Sequence, residues 1–450
     1  MGELYAMNFA IAVILLTTFF VLAWYCIKGY NLMIGFLAMT ILWITLSLAG
    51  SLISTGEPLV MILNKIFQSA PESWGYALVN ICWGTWFGRV LMETGIASTL
   101  IRRTVELSGD KISITILLLN LVTALIFSSM TGAGPVIAIG VIVLPILISL
   151  GIPKAAAIFS FMGSVAAGIY LNPINFAQHR IFFLRPSELQ EFNFSWYVRH
   201  WGGIASIIMF AVTSLLAIFY ISRSKVNRQW AAETHNLTQN EAPVYALILP
   251  VVPVILNIAF NFSVIGGFVI AGFAALFLCG KMSGTFRENC QLVNKLYYDA
   301  VVDTAPLTGF ILTVPMFNTA AKYASPYFNI IIGGIMPRSE IIICVVFAVC
   351  LFMGLFRGPV NLFGCGAATL GVLLNAENFS VPFLYGVFVI PSITVGVASC
   401  ITQSSLAWGL AYTKTESRDF LKLSIPNAYI TGILQYIAVY LLLGGLGESL

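Results

Sequence analysis

Residues 112–150 read ISITILLLNLVTALIFSSMTGAGPVIAIGVIVLPILISL, with no Asp, Glu, Lys or Arg among them. Two long apolar arms flank a polar, glycine-rich centre, Ser128-Ser129-Met130-Thr131-Gly132-Ala133-Gly134-Pro135. Proline removes a backbone donor and clashes with the preceding turn, so the helix is expected to break at Gly134-Pro135. Each arm has only about 15–20 residues, which reads as a re-entrant hairpin that dips into a bilayer and returns to the same side. A second stretch, 339–375, is built the same way around Gly358-Pro359.

The rest of the chain supplies the membrane. Of its 450 residues 59% are hydrophobic and 9% charged, against about 25% charged in a soluble domain. The apolar residues come in blocks such as Asn8–Ile27, Leu32–Ile53 and Lys422–Leu443. A helix of about 20 residues covers the roughly 30 Å hydrocarbon core, whereas a β-barrel shows alternating segments of about 10 residues. The fold class is therefore all-α polytopic membrane protein. No basic cluster points to nucleic acid, so the bilayer and a small ligand are the expected partners. The cysteines (Cys26, Cys82, Cys279, Cys290, Cys344, Cys350, Cys365, Cys400) form no C-x-x-C pair and read as small apolar fillers. Glu3 and the absence of a basic residue before the first block make Asn8–Ile27 a retained span rather than a cleaved signal.

About ten spans are expected, at 8–27, 32–54, 74–100, 155–178, 201–222, 242–260, 263–280, 302–323, 381–404 and 423–445, plus the two hairpins. With Lys28 in the cytoplasm, 14 of the 22 basic residues fall inside: Lys28, Arg102, Arg103, Lys111, Lys154, Arg223, Lys225, Arg228, Lys281, Arg287, Lys295, Lys414, Arg418 and Lys422. Lys65, Arg180, Arg185, Arg199, Lys322 and Arg338 fall outside, and Arg89 and Arg357 lie at membrane depth. The positive-inside rule then puts both termini outside.

Short matches recur at a spacing near 228. Asn64-Lys65-Ile66-Phe67 resembles Asn294-Lys295-Leu296-Tyr297, and Gly134-Pro135-Val136 with Gly140 matches Gly358-Pro359-Val360 with Gly364. Ser164 and Gly168 match Ser392 and Gly396. The expectation is two repeats, 1–228 and 242–450, joined by a cytoplasmic linker at 229–241. An odd number of spans in each turns the second upside down, so the first hairpin opens to the cytoplasm and the second outward. Inverted repeats with interrupted helices are the architecture of secondary transporters.

Polar residues gather at the interruptions, where freed backbone groups must line a cavity or bind something. Besides the first tip, these are Gly168-Ile169-Tyr170-Leu171-Asn172-Pro173-Ile174-Asn175, Gly354-Leu355-Phe356-Arg357-Gly358-Pro359-Val360-Asn361, and 396–405 with Ser399, Thr402 and Gln403. Helix N-termini there favour anions and freed carbonyls favour cations. Arg357 is the expected anion clamp, because Glu340 lies too far along the arm to neutralise it and a guanidinium fits a carboxylate. Ser129, Thr131, Gly132, Gly134, Asn172, Asn175, Gly358, Asn361, Thr402 and Gln403 complete the expected substrate shell. Ser128, Gly168, Asn172, Ser399 and Thr402 are the coupling-ion candidates. Arg89 is expected to pair with Glu93 at i, i+4. Asp299 and Asp303 read as a solvated helix start, His179 as an interfacial anchor, and Trp74, Trp196 and Trp201 as members of interfacial belts.

Phe87-Gly88-Arg89-Val90-Leu91-Met92-Glu93-Thr94-Gly95-Ile96-Ala97, then Thr131-Gly132-Ala133-Gly134-Pro135, Gly140 to Pro145 and Gly151-Ile152-Pro153 resemble the ion-transporter superfamily of secondary carriers. The gluconate-permease-like and dicarboxylate- or citrate-carrier-like branches are nearest. The resemblance implies two inverted repeats, two re-entrant hairpins and a small organic anion moved with H+ or Na+. Sodium-coupled dicarboxylate carriers of that superfamily have Ser-Asn-Thr at their tips. Here Ser129-Met130-Thr131 comes nearest, and Arg357 stands in the second tip.

The expected function is a secondary active transporter of a carboxylate such as a sugar acid, citrate or a dicarboxylate, in a bacterial cytoplasmic (inner) membrane. No enzyme motif appears, and no cofactor or metal is expected beyond the coupling ion. The alternatives are the membrane subunit of a tripartite carrier that uses a soluble binding protein, and a cation/proton antiporter with Glu93 or Asp303 as its acid. Related carriers often pair as homodimers, and the oligomeric state stays open.

Overall fold

Backbone groups in hydrocarbon have no water to bond, so an apolar chain of this kind must satisfy them along helices. The computed structural model describes the chain except residues 1, 29, 53–57, 109–110, 184–191, 224–240, 333–338, 365, 376–378 and 446–450. Among the described residues every regular element is helical, with no strand. Arg185, Lys225, Arg228, Arg338, Cys365 and residues 229–240 of the expected linker lie outside the described residues.

Five described helices are long and apolar enough to cross a bilayer: Leu4–Cys26, Leu32–Ala49, Phe194–Arg223, Glu340–Arg357 and Ser417–Leu443. Lys154–Ile169 and Pro173–Arg180 add a sixth if taken as one span bent by 71°. Shorter apolar helices fill the remainder, among them Ile112–Phe127, Ala133–Ser149, Val244–Phe260, Val264–Leu278 and Val381–Val395.

Three boundaries differ from expectation. In the first hairpin the helix breaks at Ser128–Gly132 and restarts at Ala133, so Pro135 sits in the first turn of the second arm. Amides of a first turn have no helical partner, so proline costs nothing there. The expected span 74–100 is two helices, Gly75–Glu93 and Ile96–Ser108, because Gly95 adopts a left-handed φ of 72°. The expected span 302–323 lies inside one 47-residue helix, Phe286–Ile332. That helix is roughly 70 Å long, more than twice the hydrocarbon core. Thr285 and Glu288 start it as a capping box, Thr285 N–H donating to Glu288 Oε2 at 2.7 Å.

The long helix packs on Leu32–Ala49 through Phe317, whose ring lies 5.0 Å from those of both Phe36 and Trp43. The deepest layer is formed by the interrupted elements. Every residue from Ala156 to Ile169 is buried, and so is every residue from Val381 to Val395. Small residues of the first (Gly163, Ser164, Ala166, Ala167, Gly168) let neighbouring backbones approach closely. Tyr170 and Thr394 join the two: their hydroxyls are 2.7 Å apart, and Thr394 Oγ1 donates to Gln435 Oε1 at 2.7 Å. Gln435 Nε2 in turn donates to the Ala205 carbonyl at 3.0 Å, so each polar atom of this core group has a partner.

Candidate functional site

The first hairpin tip is held by the broken span beside it. Asn172 Nδ2 donates to the carbonyls of Phe127 at 3.0 Å and Met130 at 2.9 Å. Its Oδ1 accepts from the amides of Ile174 at 2.9 Å and Asn175 at 3.2 Å, capping the helix Pro173–Arg180. One side chain therefore satisfies orphan groups on both sides of the break. Asn175 Nδ2 reaches Thr131 Oγ1 at 3.2 Å. Gly132, at φ 96°, makes the turn that only glycine enters without strain. A side chain on Gly168 would collide with the Ala124 carbonyl and Phe127, so this glycine allows the contact. Ser128 and Ser129 face elsewhere, their hydroxyls bonding the Leu125 carbonyl at 2.7 Å and the Pro250 carbonyl.

The second tip latches onto itself. Its outgoing helix Glu340–Val349 tightens into a 3-10 segment, and Phe356 and Arg357 both take left-handed conformations, at φ 54° and 59°. For non-glycine residues that costs roughly 1–2 kcal/mol each. Asn361 closes the loop, donating from Nδ2 to the Gly354 carbonyl at 3.2 Å and accepting the Phe363 amide at 3.0 Å. The broken span contributes Ser392 Oγ, which accepts from the Leu362 amide at 3.0 Å, and Cys400 Sγ, which accepts from the Phe356 amide at 3.2 Å. Cys400 is thus a polar participant, where the sequence suggested an apolar filler. Its sulfur also meets Thr402 Oγ1 at 3.0 Å. Gly358 and Gly364 give room for the carbonyls of Met353 and Arg357.

Arg357 is half-buried at this tip, and no acceptor for its guanidinium stands among the described residues. Thr402 is exposed and Gln403 half-buried, with its side chain left out of the cap of the helix it starts. Ser399 bonds the Ser424 carbonyl at 3.4 Å. The expected site residues therefore divide into two clusters, Thr131, Asn172 and Asn175 at the first tip and Arg357, Gly358, Asn361 and Thr402 at the second.

His179 connects the clusters and is no interfacial anchor. It is 2% exposed, its Nδ1 lies 2.6 Å from the Asn175 carbonyl, and its ring packs 4.8 Å from that of Phe363 in the second hairpin. Trp74 and Trp201 are likewise buried, each about 1% exposed, against Phe182 and Tyr170.

The pairing expected for Arg89 is also different. Its Nε and Nη2 donate to the two carboxylate oxygens of Asp303, each at 2.6 Å, across 214 positions of sequence. Glu93 instead faces Lys281 at 3.6 Å. Asp303 lies well inside the long helix rather than at a solvated start. It rests on Gly134, where a side chain would come within 3.2 Å of its Oδ2. Sequence spacing offered only one clue to this pair, an arginine in an apolar span that needs a carboxylate.

A scan against protein-family models gives no match, and neither does a search of curated proteins.

Proposed function

We propose that the chain is a secondary active transporter of a small organic anion, a carboxylate, coupled to H+ or Na+ and working by alternating access. The observation that carries this reading is the pairing of two broken spans, each with a fully buried segment, with two hairpin tips in a helical bundle with membrane-length elements. Such interruptions supply backbone dipoles for an anion and its co-ion where lipid offers none. Arg357 holds the carboxylate at the second tip, its donors being uncommitted. The order of elements supports the inverted repeat: each half ends with a hairpin, a broken span and a long apolar helix. Ten spans, with both termini outside, fit that scheme. The antiporter alternative draws less support, since Glu93 and Asp303 both face cations already.

The test is uptake into proteoliposomes of gluconate, citrate and succinate, with H+ and Na+ gradients imposed separately. Saturable accumulation of one of them, driven by one gradient, is the expected result. Rapid non-saturating flux down the anion's own gradient would indicate a channel and end the proposal.

A further inference from the structure

Beside the first tip lies an arginine whose two-point fork is filled by a carboxylate of the same chain. Arg89 presents a two-point fork, the geometry that recognises a carboxylate. The helix Ala133–Ser149 begins beside it with no side-chain cap from Gly132, and the first turn of a helix favours negative charge. The carboxylate found there is Asp303, near enough to Gly134 at the start of that helix that a side chain there would meet its Oδ2 at 3.2 Å. The pair is partly open, the side chains being 38% and 20% exposed.

We infer that Arg89 is a second carboxylate station for the anion that Arg357 holds, that Asp303 stands there for a carboxylate of that anion, and that the anion displaces it and leaves it to take up a proton. This rests on the carrier reading and adds a proton as the co-ion and Asp303 as its carrier. The balance is simple. The incoming carboxylate takes the two hydrogen bonds from Arg89, and Asp303 loses them. A proton from water then bonds to Asp303, whose charge would otherwise stand uncompensated in a poorly solvating site. Arg89 with ionised Asp303 sums to zero, and so do Arg89, bound carboxylate and protonated Asp303. The site stays neutral empty or loaded, which lets either form move within a low dielectric.

Few other ionisable groups face Asp303. Asp299, one turn earlier on the same helix, acts on Arg89 through space. Cys82, on the helix that carries Arg89, hydrogen-bonds with Thr304. Glu93 and Lys281 form their own pair one turn further along. Of the other helices that pack on the long helix, Leu32–Ala49 and Gly366–Asn375 carry no charged residue, while Gly2–Ile27 carries Glu3, Lys65–Ser69 carries Lys65 and Ala70–Ser73 carries Glu72; from hairpin one, Gly134 lies against Asp303.

The experiment uses purified protein in weakly buffered detergent solution, with gluconate, citrate, succinate and acetate as probes. Binding is read by thermal shift and proton uptake by a pH-indicator dye. In the wild type, binding should be accompanied by proton uptake. Asp303→Asn should bind the same anion about tenfold more tightly, since the site need not be vacated, and should take up no proton. Asp303→Glu should retain the uptake and serves if the asparagine variant does not fold. An anion that binds the wild type without a proton, or an Asp303→Asn variant with unchanged affinity and unchanged uptake, overturns the inference while leaving the carrier reading intact. If no probe binds the wild type, both fall together.

Discussion

The two hairpin tips solve one problem in different ways. At the first, a neighbouring span supplies Asn172, whose amide bonds two tip carbonyls and caps its own helix. The nearby arginine is neutralised by Asp303. At the second, the loop is closed by its own Asn361, two residues are held in left-handed conformations, and the arginine has no acceptor among the described residues. The arginine beside the first tip thus has a carboxylate partner, whereas the arginine of the second has no acceptor among the described residues. An uncommitted donor can meet a ligand directly, while a committed one must first lose a partner.

That contrast can be broken or sharpened by substitution. The largest effect should come from Arg357→Ala, which removes charged hydrogen bonds to the anion and should lower uptake by roughly 100-fold or more. Its melting temperature should stay near the wild-type value, because the lost side chain bonds no described residue. Normal uptake by the folded variant would remove Arg357 from the site.

Next in size should be the asparagine pair. Asn172→Ala leaves buried carbonyls and amides of two elements unsatisfied, which should cost about 2–4 kcal/mol. Asn361→Ala unties one loop and should cost about half as much, on the order of 1–2 kcal/mol. Denaturant or thermal unfolding in detergent reads both, and the reverse order would show that the second latch is the stronger.

Of similar size to the Asn361 effect should be those of Gly168→Ala and Gly396→Ala. The new methyl group would meet the Ala124 carbonyl and Phe127 in one case, and the Ser392 carbonyl and Asn361 in the other. Overpacking of this kind costs typically about 1–3 kcal/mol. In each case two of the three nearest atoms are main chain and cannot rotate away, but at Gly168 they belong to a neighbouring helix rather than to the same span, so the cost should be greater there. Equal stability of the two variants would argue that the tips yield alike.

Much of the framework was legible because glycine, proline and asparagine act locally. Asn172-Pro173 marked a helix break from sequence, and the Asn172 side chain caps the new helix there. Gly358-Pro359 lies in the loop as expected, while Pro135 falls in the first turn of its helix, since first-turn prolines resemble breaks in sequence. The polar residues of both tips stood out against apolar arms for the same reason. What was hidden depends on contacts far apart in sequence. Nothing near Arg89 marks Asp303 as its partner, and Glu93 satisfied the local rule better. His179 and Trp201 have interfacial chemistry, and only packing against distant rings puts them inside.

The short helix Pro173–Arg180 meets the first tip through Asn175 and the second hairpin through His179. Eight residues make a rod about 12 Å long, too short to bend between its ends. The occupancies of the two tips are then linked quantities. A ligand that favours one arrangement of Thr131 against Asn175 changes the free energy of the Phe363 contact, and reciprocity requires the second tip to act back on the first with the same coupling.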